Sequence, residues 1–385
     1  MDFSFTPEQA AFRAEVRRFI KEQTPQGWLG NGWLVEEDGE QRELGLAFAR
    51  RLAQRGWLFP DWPKEYGGAG MTPIESLIYH EEMGYHEAPD MMGGEAGYIG
   101  PTVYTFGTPE QKARYLPGMT SATEFWCQLY SEPGTGSDLA GLQTSAASDG
   151  DDYVVNGSKI WTSQGHHSDF GLLLARTDPS VPKHKGLSMF LIDMKSQGID
   201  VRPLINMGGF KGFNQIFFDN VRIPRSALIG EQNTGWKLAV ANLDFERGST
   251  RWAANCQRRI ERAVAALKQR DPGRENTVLW HRAAQLAIDV EVCRVFNYRV
   301  ASMEAAGILP NYEASIGKMF GSELNQRLSR VSTEIQGVYG QAYDANTAWW
   351  PASDYLTSVS STIESGTSEV QRNIIAIRGL GLPRA

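Results

Sequence analysis

The hydrophobic pattern of this 385-residue chain changes its period twice. Over residues 1–123 apolar side chains recur at the three-to-four-residue spacing of amphipathic helices. Between residues 124 and 234 short strand-like runs alternate with turn clusters, and from residue 235 onward the helical spacing returns. The pattern predicts a helical domain over 1–123, a β-domain over 124–234 and a second helical domain over 235–385. Because short connections join the strand-like runs, we expect antiparallel pairing.

Local signals place several element boundaries. Thr6-Pro7 and Thr108-Pro109 each have a glutamine three residues after the threonine, which is typical of a capping box with proline in the first helical turn. The dipeptide Asn156-Gly157 stands between two strand-like runs and predicts a hairpin turn there. Further helices are predicted over residues 43–55, 73–89, 236–267, 277–306 and 312–339, and a last one after residue 368.

Charge and cysteine content exclude several classes of function. A net charge of −7 argues against binding to a nucleic-acid backbone or to an anionic membrane surface. No apolar run is long enough to span a bilayer, and the first residues lack the basic and apolar regions of a signal peptide. The three cysteines are widely spaced, which predicts a reduced, cytoplasmic protein without a zinc or other metal site.

Residues 129–139 carry the strongest local signal for a ligand. Pro133 fixes its own φ, while Gly134 and Gly136 lack a Cβ and allow a ligand to approach the backbone closely. Successive N–H groups in such a turn form a concavity that binds anions, and Ser131 and Ser137 add hydroxyl groups. A pyrophosphate with an attached ring system would suit this stretch. A solvent-exposed turn without a ligand is the alternative.

Eight separated segments, in the same order, resemble the acyl-CoA dehydrogenase family across essentially the whole chain. They are residues 62–68, 107–117, 131–139, 149–161, 185–193, 221–224, 229–236 and 366–372. The resemblance implies an N-terminal α-helical bundle, a middle antiparallel β-barrel domain and a C-terminal four-helix bundle. It also implies FAD bound between the β-domain and the C-terminal bundle, and oxidation of an acyl-CoA thioester to a 2-enoyl-CoA. The electrons would pass to an electron-transferring flavoprotein.

The resemblance also assigns flavin contacts to individual positions. Ser131 would hydrogen-bond the pyrimidine edge of the flavin, Trp161 would lie along the isoalloxazine, and Ser163 would reach N5. Ser137 would touch both the FAD pyrophosphate and the pantetheine of the substrate. The other expected cofactor-binding residues are Leu129, Tyr130, Gly136, Gly337, Thr367 and Glu369.

The reaction needs a carboxylate that removes the α-proton while hydride leaves Cβ for flavin N5. Many members of the family place a glutamate directly before the Gly-Thr-Ser of the last segment, where this chain has Ser365. A serine hydroxyl is too weak a base without an activating partner. A minority, isovaleryl-CoA dehydrogenase among them, carries the base on an earlier helix, in a motif like residues 243–247. We therefore expect Glu246 to be the catalytic base, with Glu364 as the alternative.

Substrate contacts follow from the same motifs. Asp244 and Arg247 match positions that contact pantetheine or steady the base, and the backbone N–H of Ser365 would polarise the thioester carbonyl. A base on the earlier helix would leave space beside Ser365 for a branched or bulky acyl group.

Two family segments that bind FAD from a neighbouring protomer differ here. Residues 270–276 lack the phenylalanine of an Arg-x-x-Phe-Gly-like segment. In residues 334–340, which correspond to Gln-x-x-Gly-Gly-x-Gly, Glu334 replaces the glutamine and Val338 the second glycine. A glutamate repels phosphate, and a valine crowds a close backbone approach. The assembly expected is a homodimer or homotetramer, or a heterotetramer with a related chain, as in bacterial relatives that act on steroid side chains.

Two other functions remain open. One is a flavin monooxygenase or nitroalkane-type oxidase on the same fold, which would retain the flavin residues. The other is a partner subunit with a structural or binding role. Glu246, together with Asp244 and Arg247, favours the dehydrogenase.

Overall fold

The structure is a computed structural model that describes residues 4–30, 39–89, 95–246, 251–342 and 351–383, with only the backbone for residues 244–246 and 251–252. The chain forms two compact units. The first, which we call the helical unit, comprises residues 1–32, 71–89 and 247–385. The second, the sheet unit, comprises residues 33–70 and 90–246.

Helices and strands follow the order of the three predicted blocks: helices, then a mostly antiparallel sheet, then helices. The α-helices are α1 (Pro7–Gln23), α2 (Glu40–Gln54), α3 (Pro73–Tyr85), α4 (Glu95–Phe106), α5 (Pro109–Thr120), α6 (Gly235–Glu246), α7 (Arg251–Arg270), α8 (Thr277–Ala305), α9 (Tyr312–Gln336), α10 (Pro351–Ser358) and α11 (Ser368–Ile374). The strands are β1 (Trp126–Leu129), β2 (Ser145–Asp149), β3 (Asp152–Ser163), β4 (Phe170–Arg176), β5 (Leu187–Asp193), β6 (Ile199–Leu204), β7 (Phe213–Pro224) and β8 (Leu228–Ile229).

The predicted helix starts at Thr6 and Thr108 are confirmed. In each, the threonine hydroxyl accepts a hydrogen bond from the backbone N–H of the glutamine three positions on, and the side-chain oxygen of that glutamine accepts one from the threonine N–H. Thr72 begins α3 with the same capping box, formed with Glu75. Each box satisfies two backbone donors that a helix start would otherwise leave unpaired.

The sheet has the strand order β6-β7-β3-β2-β4-β5-β8, and β1 pairs with β4. Pairing is antiparallel, as expected, except for β1 with β4 and a single pair between β2 and β4, which are parallel. Within the described residues the hydrogen-bonded path does not close on itself, and the expected barrel is not confirmed.

The predicted hairpin turn at Asn156-Gly157 was wrong. Strand β3 runs through this dipeptide without a break, and the chain instead reverses at Gly150-Asp151, between β2 and β3. Gly157 is needed for a different reason. Its φ is +143°, and a Cβ at this position would lie 2.6–2.9 Å from atoms of Thr144. A glycine inside a strand here marks a close approach and a register shift in the pairing with β7.

The sheet unit buries its apolar face in one cluster that includes Leu129, Tyr153, Phe190 and Ile216. Helix α4 packs against β1, α5 and α6, and α6 also packs against β4 and β5. These contacts hold β1 and α6 in one body, and both elements lead directly into residues expected at the active site.

The helical unit is built on three long helices, α7, α8 and α9, which pack against one another. Their shared core contains Ala263, Leu286, Val290, Leu324 and Leu328. Helices α10 and α11 pack on α9, and α3 packs on α1, α7 and α8. Among the described helices of both units, none is long and apolar enough to cross a bilayer.

Candidate active site

The predicted ligand-binding stretch forms a compact turn directly after β1. We call residues 131–137 the Ser-Gly turn. Glu132 and Thr135 exchange two backbone hydrogen bonds of 2.9 and 3.0 Å, which close the turn around Pro133 and Gly134. A Cβ added to Gly134 or Gly136 would meet no heavy atom within 4 Å, so the concave side of the turn is open.

A buried ion pair that sequence reasoning missed anchors this turn. The Glu132 carboxylate accepts hydrogen bonds from the backbone N–H groups of Gln143 (2.6 Å) and Thr144 (2.7 Å) and from Lys159 Nζ (2.9 Å). Lys159 is fully buried, and its Nζ also donates to the carbonyl of Tyr130 (2.9 Å). One sequence signal could have indicated that Lys159 is buried. It falls on the same face of β3 as Tyr153 and Val155 in the two-residue alternation of the strand.

The electrostatics of this pair follow from its burial. Burial disfavours the charged ammonium and lowers the pKa of Lys159 to about 8, although the charge of Glu132 opposes that change. For Glu132, burial alone would raise the pKa, but the charge of Lys159 and the hydrogen bonds at its carboxylate lower it overall. Below a pH of about 8 and above the lowered pKa of Glu132, both groups are therefore charged, and the pair joins the turn to β3.

Trp161 and Ser163 lie where β3 ends. Lys159 pairs with Ile216 and Thr162 with Asn214, so two residues of β3 face one residue of β7 and form a bulge. Within the bulge Trp161 has a φ of +60°, and its side chain is 60% exposed although it is the largest in the segment. A bulge of this kind redirects a side chain out of the regular alternation of the strand.

The structure brings this bulge next to the Ser-Gly turn. The N–H of Ile160, the residue before Trp161, donates to the carbonyl of Ser131 (2.9 Å). Ser137 lies farther along the same turn and is exposed, and the Asp138 that follows it pairs with Lys183 at 2.6 Å. Ser131, Trp161 and Ser163 thus belong to two segments that are hydrogen-bonded to each other.

The donor set around these segments fits a flavin. Three buried side-chain atoms here lack a hydrogen-bond partner among the described residues: Thr135 Oγ1, Thr162 Oγ1 and Gln164 Oε1. Buried polar atoms are nearly always paired, so three unpaired ones beside an open turn indicate a polar ligand. An isoalloxazine has an apolar face for the exposed Trp161 ring and polar edges for the hydroxyl groups.

The last family-like segment, residues 366–372, lies in the helical unit, directly after Ser365. Ser365 has a φ of +50° and Gly366 one of +88°. Lys318 Nζ donates to the carbonyl of Gly366 (2.9 Å), and the buried Gln371 amide donates to the carbonyls of Ser365 and Gly366. These bonds hold the backbone at Ser365 in a conformation that residues other than glycine rarely adopt.

Helix α11 begins directly after this bend. Thr367 caps it, with its hydroxyl accepting from the N–H of Val370 (3.2 Å), and the side chain of Glu369 is 79% exposed. Ser368 Oγ and Gln371 Oε1 are buried without a hydrogen-bond partner in the described structure. Buried polar atoms without a partner in the described structure therefore also occur at the start of α11.

The candidate bases can be placed only in part. Glu246 is the last residue of α6, and its side chain, like that of Asp244, lies outside the described residues, as does the whole of Arg247. Glu364 is half-buried in the helical unit, and its N–H donates to the carbonyl of Ser360 (3.0 Å).

The segment that differs from the family forms the end of α9. Gly337 has a φ of +58°, and a Cβ there would lie 2.9 Å from the guanidinium of Arg270, which donates to the carbonyl of Ile335. Glu334 forms an ion pair with Arg282, which offsets its charge. After Gly337 the side chain of Val338 is 85% exposed.

Comparisons with known proteins agree with these features. Family models for the N-terminal, middle and C-terminal domains of acyl-CoA dehydrogenase match residues 6–123, 127–221 and 233–380. The chain is 35% identical to acyl-CoA dehydrogenase IpdE1 of Mycobacterium tuberculosis over 97% of both proteins. The solved structure of the Tcur3481-Tcur3483 steroid ACAD covers 100% of both chains with a TM-score of 0.89 at 30% identity. The ChsE4-ChsE5 complex of M. tuberculosis does so with a TM-score of 0.86 at 31% identity.

The resemblance inferred from the eight sequence segments is thereby confirmed. The matches span all three domains and nearly the full length of the relatives. The chain belongs to the acyl-CoA dehydrogenase family, and it is an oxidoreductase that uses FAD.

Proposed function

We propose that this protein oxidises an acyl-CoA thioester to the 2-enoyl-CoA, with Glu246 as the base that removes the α-proton. The observation that carries the proposal is the bulge at Trp161, where an exposed aromatic ring in a rare backbone conformation is hydrogen-bonded through Ile160 to the Ser-Gly turn. Such geometry has a cost for the free chain, which a flat aromatic ligand would offset.

The expected cofactor-binding residues divide by the part of FAD that each would contact. Ser131, Trp161 and Ser163 would surround the isoalloxazine, with backbone groups of Leu129 and Tyr130 beside it. The phosphates would meet the Ser-Gly turn, through Gly136 and Ser137, and the start of α11, through Thr367 and the backbone N–H of Glu369. Bound FAD would supply the acceptor for the hydride from Cβ, which carries two electrons.

The substrate would be held by groups that also prepare it for proton loss. Ser137, Asp244 and Arg247 would contact the pantetheine, and the N–H of Ser365 would donate to the thioester carbonyl oxygen. A donor at that oxygen stabilises negative charge that develops when the α-proton leaves. The bonds from Gln371 and Lys318 that fix the bend would keep this N–H in place.

We assign the base to Glu246 and not to Glu364. A carboxylate can act as the base only if it reaches the α-carbon, and Glu364 is displaced by one residue from the position that carries the base in many family members. At that position Ser365 offers only a hydroxyl and a strained backbone. Position 246, at the end of α6, corresponds to the position of the base in the minority of family members that carry it on the earlier helix.

For the acyl group we propose a branched or steroid side-chain thioester. Serine at position 365 is smaller than the glutamate that many family members carry there and leaves room for a bulky acyl chain. The relatives point in the same direction, since one of the matching solved structures is described as a steroid ACAD.

We further propose a heterotetramer with a related chain, a homodimer or homotetramer being the alternative, and an electron-transferring flavoprotein as acceptor. The guanidinium of Arg270 donates to the carbonyl of Ile335 at the end of α9, and would therefore not be available to a neighbouring FAD. The exposed Val338 stands where the family motif has a glycine. Gly337 would then contribute little to FAD binding without a complementary partner. The matching ChsE4-ChsE5 structure is itself a complex of two chains. The three cysteines are free and buried, in keeping with a cytoplasmic location.

The experiment that tests the function is an anaerobic titration followed by the visible flavin spectrum. The purified chain, alone and co-expressed with a related chain, is mixed with isovaleryl-CoA, octanoyl-CoA and a steroid side-chain acyl-CoA. Bleaching of the flavin band with formation of the 2-enoyl-CoA is expected, most strongly with the bulky substrates. A flavin that none of them bleaches, and that reacts quickly with oxygen once it has been reduced chemically, would instead support the monooxygenase or oxidase.

The flavin content of the two preparations tests the assembly. We expect FAD below one per chain when the protein is expressed alone, and full occupancy with the partner. Stoichiometric FAD in the chain alone would contradict the heteromer, and it would leave the dehydrogenase proposal standing.

A further inference from the structure

Asn242 makes an unusually complete set of hydrogen bonds in the interior of the sheet unit. It lies on α6 and is 0% exposed. Its Oδ1 accepts from Gln128 Nε2 (2.8 Å) and from the hydroxyl of Tyr130 (3.1 Å). Its Nδ2 donates to the carbonyl of Tyr98 (2.9 Å) and to Thr102 Oγ1 (3.0 Å). A carboxamide offers two acceptor lone pairs and two donors, and here all four are used.

These four bonds connect α6 to β1, to α4 and to the residue that leads into the Ser-Gly turn. Gln128 is on β1, Tyr98 and Thr102 are on α4, and Tyr130 directly precedes the Ser-Gly turn. The four bonds point from the Asn242 amide in different directions. They therefore restrict both sliding and rotation of α6. A buried network in which every member is satisfied specifies one arrangement.

Position 242 also has a special place along the chain. It precedes position 246 by four residues, which is one helical turn in α6. The backbone that carries Glu246 is thus fixed one turn away, by bonds to the residue that leads into the Ser-Gly turn.

We propose that Asn242 is a positioning residue for the dehydrogenation, because it fixes the last turn of α6 relative to β1 and the Ser-Gly turn. The inference rests on the proposed function, in which Glu246 removes the α-proton and the Ser-Gly turn holds the flavin. In this role Asn242 would act through the position of α6 and not by contact with substrate or cofactor. Its effect is on the distance between the base and the α-carbon of a substrate placed by the turn.

The test compares two buried carboxamides of the same unit. Asn242→Leu keeps the size of the side chain and removes all four bonds. Gln111→Leu is the matched control: Gln111 is 6% exposed, and its Nε2 donates to the carbonyls of Ser226 and Leu228, so it joins α5 to the chain around β8. Both variants lose buried hydrogen bonds and should lower the melting temperature, but only Asn242 is linked to α6.

We expect Asn242→Leu to lower kcat about 10- to 100-fold, since a misplacement of about 1 Å can cost about 100-fold. The probe is the acyl-CoA that best bleaches the wild-type flavin. FAD content and KM should stay within about twofold of wild type, and the isotope effect with α-deuterated substrate should increase because proton removal becomes slower. Gln111→Leu should keep the wild-type kcat and isotope effect.

A second readout needs neither substrate nor turnover. Hydrogen exchange of the backbone amides of residues 235–246 should be faster in Asn242→Leu than in wild type, and unchanged in Gln111→Leu. If Asn242→Leu does not fold, Thr102→Val and Tyr130→Phe each remove one bond with little change of shape. Each should lower kcat about two- to tenfold, in line with the worth of one hydrogen bond.

The outcomes separate the inference from the proposed function. The inference is overturned if Asn242→Leu loses no more kcat than Gln111→Leu, or if α6 exchanges at the wild-type rate in both. Glu246→Gln is assayed in parallel. An active Glu246→Gln refutes the assignment of the base, whereas an inactive Glu246→Gln beside an active Asn242→Leu refutes only the role of Asn242.

Discussion

Trp161 combines a bulky side chain with a φ of +60°, a region in which such residues are rare. Substitution by glycine removes that backbone conflict, which costs about 1–2 kcal/mol, and little packing is lost because the ring is 60% exposed. We expect Trp161→Gly to keep or raise the melting temperature of the apoprotein and to weaken FAD binding at least about tenfold. A flavin titration and a melting curve measure the two effects.

Trp161→Ala serves as the comparison for that variant. It removes the ring but retains a Cβ, so it should weaken FAD binding as much as glycine does without the gain in apoprotein stability. Unchanged FAD affinity in both variants would remove Trp161 from the flavin site.

Glu246 provides the sharpest test of the chemistry. Glu246→Gln keeps the shape of the side chain and removes its basicity, so turnover should fall at least about 100- to 10,000-fold while FAD remains bound. Stopped-flow reduction of the flavin by the best acyl-CoA measures the loss. Glu364→Gln is the control and should keep most of the wild-type rate, and the reverse result would move the base to Glu364.

At the residue scale, the sequence predicted candidate ligand-binding residues at motif positions. It did not predict the buried residues that hold those positions in place. The open turn at Gly134 and Gly136 and the exposed ring of Trp161 lie where the motifs suggested. The buried Glu132–Lys159 pair was not anticipated, because two charged residues 27 positions apart give no local signal of pairing. The alternation of β3 places Lys159 in phase with the buried Tyr153 and Val155, but it does not identify Glu132 as its partner.

Helices α1 and α3 are joined by an ion pair that should respond to acid. Glu82 is 3% exposed and accepts two hydrogen bonds of 2.9 Å from Arg17, and His86 lies 3.3 Å away. Burial alone would raise the pKa of Glu82, but the hydrogen bonds from His86 and Arg17 outweigh it and lower the pKa to about 2. The folded state therefore holds this proton less tightly than the unfolded chain.

The sign of the pH effect follows from that difference. The stabilising contribution is complete above the ordinary glutamate pKa of 4.5 and is lost as the pH falls from there toward about 2. Glu82→Gln should melt at a lower temperature than wild type at neutral pH, and the gap should shrink below a pH of about 4.5. Melting curves at several pH values between neutrality and acid measure the gap, and a gap independent of pH would contradict the assignment.

Helices α7 and α10 are joined by a buried pair of opposite charges. Arg259 Nη2 lies 3.1 Å from Asp354 Oδ2, with side-chain exposures of 6% and 7%. Asp354→Ala would leave a buried guanidinium without its counter-charge, so the free energy of unfolding should fall by about 3–5 kcal/mol. Urea unfolding of the chain measures the change.

An exposed pair in the same unit is the control for that loss. Glu291 and Arg294 on α8 have side-chain exposures of 54% and 38%, and Glu291→Ala should cost less than about 1 kcal/mol. The double change Arg259→Met with Asp354→Leu should recover most of the loss, because it removes both charges. Equal losses in the buried and exposed single variants would contradict this reading.

Elements with strong local signals were predictable, and elements set by distant contacts were not. The caps at Thr6 and Thr108 came directly from short motifs. Helix α4 was not predicted as a separate helix, because Gly100 and Pro101 interrupt its sequence and packing in the sheet unit overrides their weak propensity. The prediction of a hairpin turn at Gly157 was wrong because the glycine has another role. Any larger residue there would clash with Thr144, and the sequence does not show that contact.

At the scale of the molecule, the order of helical and strand blocks and the family were both readable from the sequence. Eight ordered motifs identify a family far better than any one of them. The sequence did not show whether one chain carries all the FAD contacts. The proposed contacts come from segments as distant as Ser131 and Thr367, and in the family also from a neighbouring protomer. Whether Gly337 contributes depends on a partner whose sequence is not in this chain.

The division of the chain into two interleaved units has a consequence for its synthesis on the ribosome. All segments of the sheet unit have been translated once residue 246 has been added. Helices α1 and α3 emerge much earlier, yet α3 packs on α7 and α8, which begin after residue 250. The apolar faces of the first helices must therefore wait, uncovered, for more than 150 residues of elongation, so the nascent chain should be a substrate for chaperones until its last third appears.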